Sequence, residues 1–407
     1  MSENLQALWH SQTTLWFGNS SYQFKYLSGN EPLSKVEVPS LKGLPPKAHA
    51  TFCGGKPRLG PIVAVLVDDY LGGSKPFSVQ TLLLTELTTH AHQRGVLVYI
   101  ITPNNTLGHG YVEGYSLVAG QWVKQQFPYP DFLYNRYFGK QYTHRDQIIR
   151  QLKAKGARLI NSHLPNKWEC YLWLKTDPLL ASHLPETRLY KSIKDIEKLL
   201  ANYPEIYLKP RAGARGSGIA RLSRSGHFYQ LISAAGKTQQ LSTLGNLPSY
   251  IKTNSYIVQQ GIRFWNYPSF YDLKVLVQNT GSSFVVTGKI ARQAEAGRVT
   301  TQLHQGGEAL LLHEYLSKLP LAWQDRLEAD VDRIALQTAK VLANRMPRLG
   351  EFSLDMGLDQ KGKVWIIEAN GKPSRKSFRI AGDDQARGDA YEHLIDYMLH
   401  DYITGSY

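Results

Sequence analysis

The stretch EFSLDMGLDQKGKVWIIEANGKP, residues 351–373, reads as two strands joined by the turn DQKGK. Strand side chains alternate between faces, so in the first strand Ser353, Asp355 and Gly357 lie opposite Phe352, Leu354 and Met356. In the second, the same rule groups Ile366, Glu368 and Asn370 against Trp365, Ile367 and Ala369. The hairpin sets Asp355 beside Glu368. Burying an unpaired carboxylate is costly, so strands ending this way need a cation, a hydrogen-bond partner or water at that point. A strand end emerging into solvent meets the need without a ligand. Two carboxylates and an amide oxygen also make a hard oxygen-donor set suited to Mg²⁺.

Upstream, KPRAGARGSGI, residues 209–219, follows the strand EIYLKP. Gly213, Gly216 and Gly218 let backbone N–H groups approach a phosphate with no Cβ in the way, and Lys209 puts a positive charge at the strand end. A plain hairpin turn is the alternative. The loop is not a P-loop, because the Gly-Lys-Ser/Thr ending is missing, and it is not a dinucleotide fingerprint. A basic glycine loop and an all-oxygen cluster in one chain together point to a nucleoside triphosphate with magnesium.

The rest of the chain is compatible with this. Its 407 residues, 42% hydrophobic and 20% charged, suffice for two or three globular domains. The net charge of +14 favours acidic partners, but the basic residues are spread along the chain and no nucleic-acid motif appears, so no nucleic-acid partner is expected. Cys53 and Cys170 make neither a disulfide framework nor a metal cluster. No signal peptide and no apolar stretch long enough to span a bilayer is present, which predicts a cytoplasmic chain without a membrane partner.

Residues 1–58 read as a small β element, with strands in TTLWFG, YQFKYL and KVEVPS. Residues 59–163 read as an α/β domain. It contains the strands PIVAVLVDD, VLVYIITP, DFLYNRY and ARLIN and helices over 77–94 and 145–155. Helices over 167–182 and 192–202 precede and follow LPETRLY, and antiparallel strands are expected in SYIVQQGI, YDLKVLVQ and SSFVVTGKIARQ. A helix over 321–346 carries Leu327, Val331, Ile334, Thr338, Val341 and Leu342 on one stripe, and a helix over 385–402 closes the chain.

In order along the chain, NKW at 166, YLKPRAGARGSGI at 207, YIVQQGI at 256, YDLKVLV at 271, GKIARQ at 288, TQLHQGG at 301, SLDMGL and IIEANGKP resemble the motifs of the ATP-grasp superfamily, and of its RimK-like glutamate ligases in particular. PFSVQ, GYSLVAGQW and FPYPDFLYNRY are similar to the YheC/YheD spore-coat-associated branch. The resemblance implies an α/β (α+β) ATP-grasp fold. In it, 59–163 is a pre-ATP-grasp domain, 164–260 the subdomain bearing the lysines and glycine loop, and 261–407 the subdomain bearing metal and catalytic residues.

It also implies residue roles. Lys167 and Lys209 resemble the lysines that contact the α- and β-phosphates, with Arg215, Gly216, Ser217 and Gly218 folding over them. Gln259, Gln260 and Ile262 resemble the hinge whose backbone reads adenine, although Glu is more usual where Gln260 stands. Asp272 and Lys274 match a D-x-R pattern with Lys for Arg, a change that matters wherever a bidentate contact is needed. Arg292 resembles the arginine that steadies the transferred phosphoryl group, or else pairs with a carboxylate in its own sheet; Asp355, Glu368 and Asn370 match the ligands of two magnesium ions. His304 is a general base or a structural loop residue, and Arg136 faces a substrate carboxylate or pairs within its own domain. The implied activity joins a small-molecule or peptide carboxylate to an amine, with ATP and Mg²⁺ and through an acyl phosphate. The alternatives are a spore-coat assembly protein that keeps the fold without turnover, associated with other coat proteins, and a kinase on the same fold.

Overall fold

A computed structural model describes residues 14–16, 47–53, 56–139, 142–161, 164–213, 216–265, 271–295, 301 and 307–404. The first strands, β1 (Thr14–Trp16), β2 (Lys47–Cys53) and β3 (Lys56–Gly60), pair antiparallel in that order. β1 falls within TTLWFG, whereas YQFKYL and KVEVPS lie outside the described residues.

The apolar runs that follow become β4 (Ile62–Leu66), β5 (Leu97–Ile101), β8 (Phe132–Asn135) and β9 (Arg158–Ile160), paired parallel in the order β5-β4-β8-β9. Alternation sends Val63, Val65, Val98, Ile100, Phe132 and Tyr134 into one apolar cluster with residues of the helices Thr81–Gln93 and Asp384–Thr404. Ala64, Leu66, Tyr99, Ile101 and Leu133 enter another, with Ile148 and Leu152 of the helix Tyr142–Ala154. A sheet buried on both faces is why these strands read as unbroken hydrophobic runs. The sheet is extended by a hairpin absent from the sequence reading, β6 (Val112–Val118) and β7 (Gln121–Phe127). Its two-residue turn has Ala119 and Gly120 both at positive φ, 48° and 80°, which is the primed-turn geometry without the usual Asn-Gly signal.

The closing helix departs from expectation. Assigned from sequence to a subdomain 261–407, it instead buries Tyr391, Leu394, Ile395, Met398 and Tyr402 in the first apolar cluster above. The compact unit it joins comprises Met1–Ser162, Asn279–Ser283 and Gly388–Tyr407. An apolar stripe reports that a helix packs, but not against which sheet.

The second unit, His163–Gln278 and Phe284–Arg387, holds two sheets. The strands β10 (Thr187–Leu189), β11 (Glu205–Pro210), β12 (Ala220–Ser225), β13 (Phe228–Ser233), β14 (Thr238–Leu241) and β15 (Tyr256–Gln260) form an antiparallel sheet in the order β10-β15-β11-β12-β13-β14. It packs on Ile196 and Leu199 of the helix Ile193–Asn202. The strands β16 (Tyr271–Asn279), β17 (Phe284–Gln293), β18 (Glu308–Leu311), β19 (Glu351–Leu358) and β20 (Val364–Asn370) form the other, in the order β18-β17-β16-β19-β20. Leu327, Val331, Ile334, Thr338 and Leu342 of the helix Leu321–Ala343 are buried, with Val341 half-buried at the stripe's margin. The single helix expected over 167–182 is two, Lys167–Leu174 and Pro178–Ser182. Asp177 accepts the Leu180 N–H at 3.0 Å and Pro178 opens the second helix, a cap and an N-terminal proline that restart it.

Candidate functional site

The β19–β20 register runs Leu358↔Val364, Gly357↔Trp365, Met356↔Ile366, then jumps to Asp355↔Glu368, Leu354↔Ala369 and Ser353↔Asn370. Ile367 is the extra residue of a β-bulge. Residues opposite each other share a face. Ile366 therefore joins Met356, Leu354, Leu358 and Val364 in the core, and not Glu368 and Asn370 as unbroken alternation predicts. The bulge lets the strand stay apolar through Ile366 and then present Glu368 and Asn370 beside Asp355 and Ser353.

Cations from two neighbouring strands meet this acidic face. Lys274 on β16 stands opposite Asp355 and donates to Ser353 Oγ at 3.1 Å, its Nζ 3.7 Å from Asp355 Oδ1. Arg292 on β17 donates to both oxygens of Asp272, Nε to Oδ1 at 2.8 Å and Nη2 to Oδ2 at 2.6 Å, while Nη2 also lies 3.0 Å from Asp355 Oδ1. Thr301 donates to Asp272 Oδ2 at 2.5 Å. Arg292 thus sits between two carboxylates, all of them buried. Burial alone would raise the Asp355 carboxyl, but Arg292 and Lys274 outweigh it and hold the group below the usual carboxylate range. Burial depresses the Lys274 ammonium despite the pull of Asp355. Asp355 Oδ1 meets no donor in hydrogen-bond geometry, and Asn370 Nδ2 approaches Oδ2 at 3.4 Å.

The lysines and the glycine loop converge on the same place. Asn166 caps the helix Lys167–Leu174, accepting from Trp168 N at 3.1 Å and Glu169 N at 3.2 Å, which fixes Lys167 as its first residue. The Lys167 ammonium lies 3.1 Å from Glu368 Oε1 and donates to the Gly213 carbonyl at 3.0 Å. Lys209, on β11, is 6% exposed and donates to Gln259 Oε1 at 2.5 Å. Burial pushes its ammonium down to about 8, with Glu368 and Asp355 pulling upward and Lys167 downward. Gly213, Gly216 and Gly218 have φ of 133°, 71° and 75°, conformations that disfavour a side chain. A Cβ on Gly218 would lie 2.9 Å from both Pro210 Cγ and the Tyr256 hydroxyl. Gly218→Ala is expected to cost about 1–2 kcal/mol from the left-handed backbone alone, read as a lowered denaturation midpoint. An unchanged midpoint would refute the conformational argument. Ser217 is exposed beside it, whereas Arg215 and His304 lie outside the described residues.

In the segment expected to read adenine, Gln260 N–H donates to Glu186 O at 2.8 Å and Gly261 N–H to Glu205 O at 3.0 Å. Ile262 N–H makes no hydrogen bond to another backbone group among the described residues. Gln260 also accepts the Glu186 N–H through its side chain at 3.0 Å. Arg136, in the first unit, is buried and donates to Tyr134 Oη at 3.3 Å and Gln80 Oε1 at 3.4 Å. Cys170 is free and buried, its thiol pushed up to about 12 by burial. Among the described residues no group of three or more His, Cys, Asp or Glu is placed to hold a metal, and no helix is long and apolar enough to cross a membrane. The sequence reading missed Ser353, Thr301, Thr187 and the Gln259 side chain as partners; only Ser353 was visible beforehand, through its alternation with Asp355.

A family model described as YheC/D like ATP-grasp matches residues 156–400. The chain is 27% identical over 346 residues to the endospore coat-associated protein YheD of Bacillus subtilis (strain 168), covering 79% of this chain and 74% of that protein. It is 25% identical over 285 residues to the endospore coat-associated protein YheC of the same organism, covering 67% and 78%. Among solved structures it is similar to the VanG D-Ala:D-Ser ligase from Enterococcus faecalis, at 11% identity and a TM-score of 0.50, covering 83% of this chain and 98% of that one. At that identity the likeness is one of fold.

Proposed function

Because this chain belongs to the YheC/D-like ATP-grasp family and has a mixed α/β ATP-grasp fold, we propose that it is an ATP-dependent carboxylate–amine ligase. One observation carries the reading: the Lys167 ammonium touches both Gly213 of the glycine loop and Glu368 of the acidic hairpin, so cationic and carboxylate halves face one another within the second unit. The two sheets of that unit correspond to the two ATP-grasp subdomains, and the α/β sheet of the first unit to the pre-ATP-grasp domain.

The acidic face suits magnesium. Its donors are all oxygens, the hard set magnesium prefers, although Asp355 Oδ1 already faces Arg292 at 3.0 Å and Lys274 at 3.7 Å, so a bound ion would share that carboxylate with them. Asp355, Glu368 and Asn370 would hold the two ions the family implies, which when bound neutralise the phosphates. The chain's own residues do the rest. Lys167 and Lys209 bind and orient the phosphates, the loop at Gly216, Ser217 and Gly218 covers them, and Ile262 N–H supplies a donor for the adenine edge. Arg292, immobilised by Asp272 with Thr301, offers a fixed charge to the transferred phosphoryl group. The substrate carboxylate attacks the γ-phosphorus, ADP leaves, and an amine displaces phosphate from the acyl phosphate to give an amide. The reacting groups belong to the substrates, so no protein nucleophile is required.

The net charge of +14 suits an acidic amino acid or peptide as substrate, and the names of the two curated relatives support a role in the spore coat, exercised in the cytoplasm or at the forming spore. Those names also favour a second reading, a coat assembly protein that binds ATP without turnover. Purified protein incubated with Mg²⁺-ATP and a panel of acids and amines separates them. Acceptor-dependent release of ADP and phosphate is expected, with an amide product. Tight ATP binding with no turnover on any pair would favour the assembly role, and a stable phosphate ester would identify a kinase.

A further inference from the structure

Three neighbouring strands of the first sheet in the second unit bring three buried polar side chains together: Thr187 from β10, Gln259 from β15 and Lys209 from β11. Thr187 pairs directly opposite Gln259, and Lys209 stands one diagonal step away, since Tyr207 is the residue opposite Gln259. The hydrogen bonds form a chain with one possible direction. The Thr187 hydroxyl donates its single proton to the Pro185 carbonyl at 2.9 Å, so towards Gln259 it can only accept. Gln259 Nε2 donates to it at 3.0 Å, which turns Oε1 towards Lys209 Nζ at 2.5 Å.

We propose that the Gln259 side chain is a positioning residue for Lys209, fixing the ammonium in place with a neutral acceptor so that its charge is left for an anionic ligand. The proposal rests on the reading of Lys209 as a phosphate-binding lysine. A glutamate at this position would form a buried ion pair with Lys209 and match the charge that a phosphate has to find unmatched. A leucine would leave the ammonium without its acceptor. The other charged groups that act on Lys209 are Glu368 of β20, Asp355 of β19 and Lys167 at its helix start, and its ammonium already lies near 8. Binding a phosphate requires the protonated form. Deprotonation of Lys209 therefore lowers nucleotide affinity as pH rises through that value, because above it binding must take up a proton.

The test is calorimetric titration of the full chain with a non-hydrolysable ATP analogue over a pH series spanning about 8. Wild type is compared with Gln259→Glu, Gln259→Leu, Thr187→Val and Lys209→Met, and thermal melts check that each variant is folded. Lys209→Met should weaken binding roughly tenfold to a hundredfold and abolish the fall at high pH, as expected for a lost charge-assisted contact. Gln259→Glu should weaken binding by about tenfold and move the fall to higher pH; Gln259→Leu should move it to lower pH. Thr187→Val, which frees the amide to rotate, should share the direction of Gln259→Leu and carries the test if a Gln259 variant does not fold. Wild-type affinity and pH profile in all the Gln259 and Thr187 variants, alongside a weakened Lys209→Met, would overturn the positioning role and leave the phosphate reading intact. Wild-type affinity in Lys209→Met would overturn both.

Discussion

Glu368→Gln is expected to leave the protein folded and to lower acceptor-dependent ADP release by roughly a hundredfold to a thousandfold, the usual loss when one fixed charge at a reaction centre is removed. The substitution keeps size and shape, and the Glu368 side chain, 20% exposed, has an ion pair with Lys167 but no place in the apolar core. Stability should change little, because partly exposed ion pairs contribute little. What changes is the oxygen set: one of its two carboxylates becomes a neutral amide, and Lys167 loses its counter-charge. The loss should appear as a higher magnesium requirement as well as a lower maximal rate, which a rate series at increasing Mg²⁺ would read. Wild-type rates at ordinary Mg²⁺ would remove Glu368 from the site.

Glu351→Ala should act in the opposite way, on the fold before the chemistry. Glu351 is 0% exposed and takes both forks of Arg375, Nη1 to Oε1 at 3.0 Å and Nη2 to Oε2 at 2.5 Å, with Gln278 Nε2 donating to Oε2 at 2.9 Å. Removing the carboxylate strands the buried guanidinium, a cost of about 3–5 kcal/mol. Against a total stability of about 5–15 kcal/mol, that leaves the native state marginal. Replacing both partners, as in Glu351→Leu with Arg375→Met, should recover most of the loss, since no buried charge then remains. Chemical denaturation checks both variants, and a cost for Glu351→Ala below about 1 kcal/mol, the level of an exposed pair, would show the ion pair to be unimportant. The pair bears on the site too. Arg375 Nη1 also donates to the Pro373 carbonyl at 3.2 Å, which ties down the segment leaving Asn370.

Much of this arrangement was legible in the sequence because it depends on local pattern. The parallel strands announced themselves as apolar runs, since both faces of their sheet are covered. Asp355 and Glu368 were identifiable as neighbours because a short turn joins their strands. The bulge at Ile367 was not, since a period of two carries no mark where one residue is skipped, and it moved Ile366 to the other face. The hairpin turning at Ala119 and Gly120 was missed for want of the expected turn residues. The closing helix packs within the first unit, although the sequence groups it with 261–407, because nothing in residues 385–402 marks which sheet its apolar side chains cover. The Gln259 side chain was invisible for a different reason: its partners Thr187 and Lys209 are 72 and 50 residues away in sequence, and nothing near Gln259 announces them.

The most direct measurement of the central claim is a crystal structure of the protein with a non-hydrolysable ATP analogue and Mg²⁺. The triphosphate is expected against the loop at Gly213, Gly216 and Gly218, with the Lys209 and Lys167 ammonium groups on its phosphate oxygens and metal density on Asp355, Glu368 and Asn370. Nucleotide bound elsewhere, or phosphates remote from Lys209 with those three side chains free of metal, would contradict that claim.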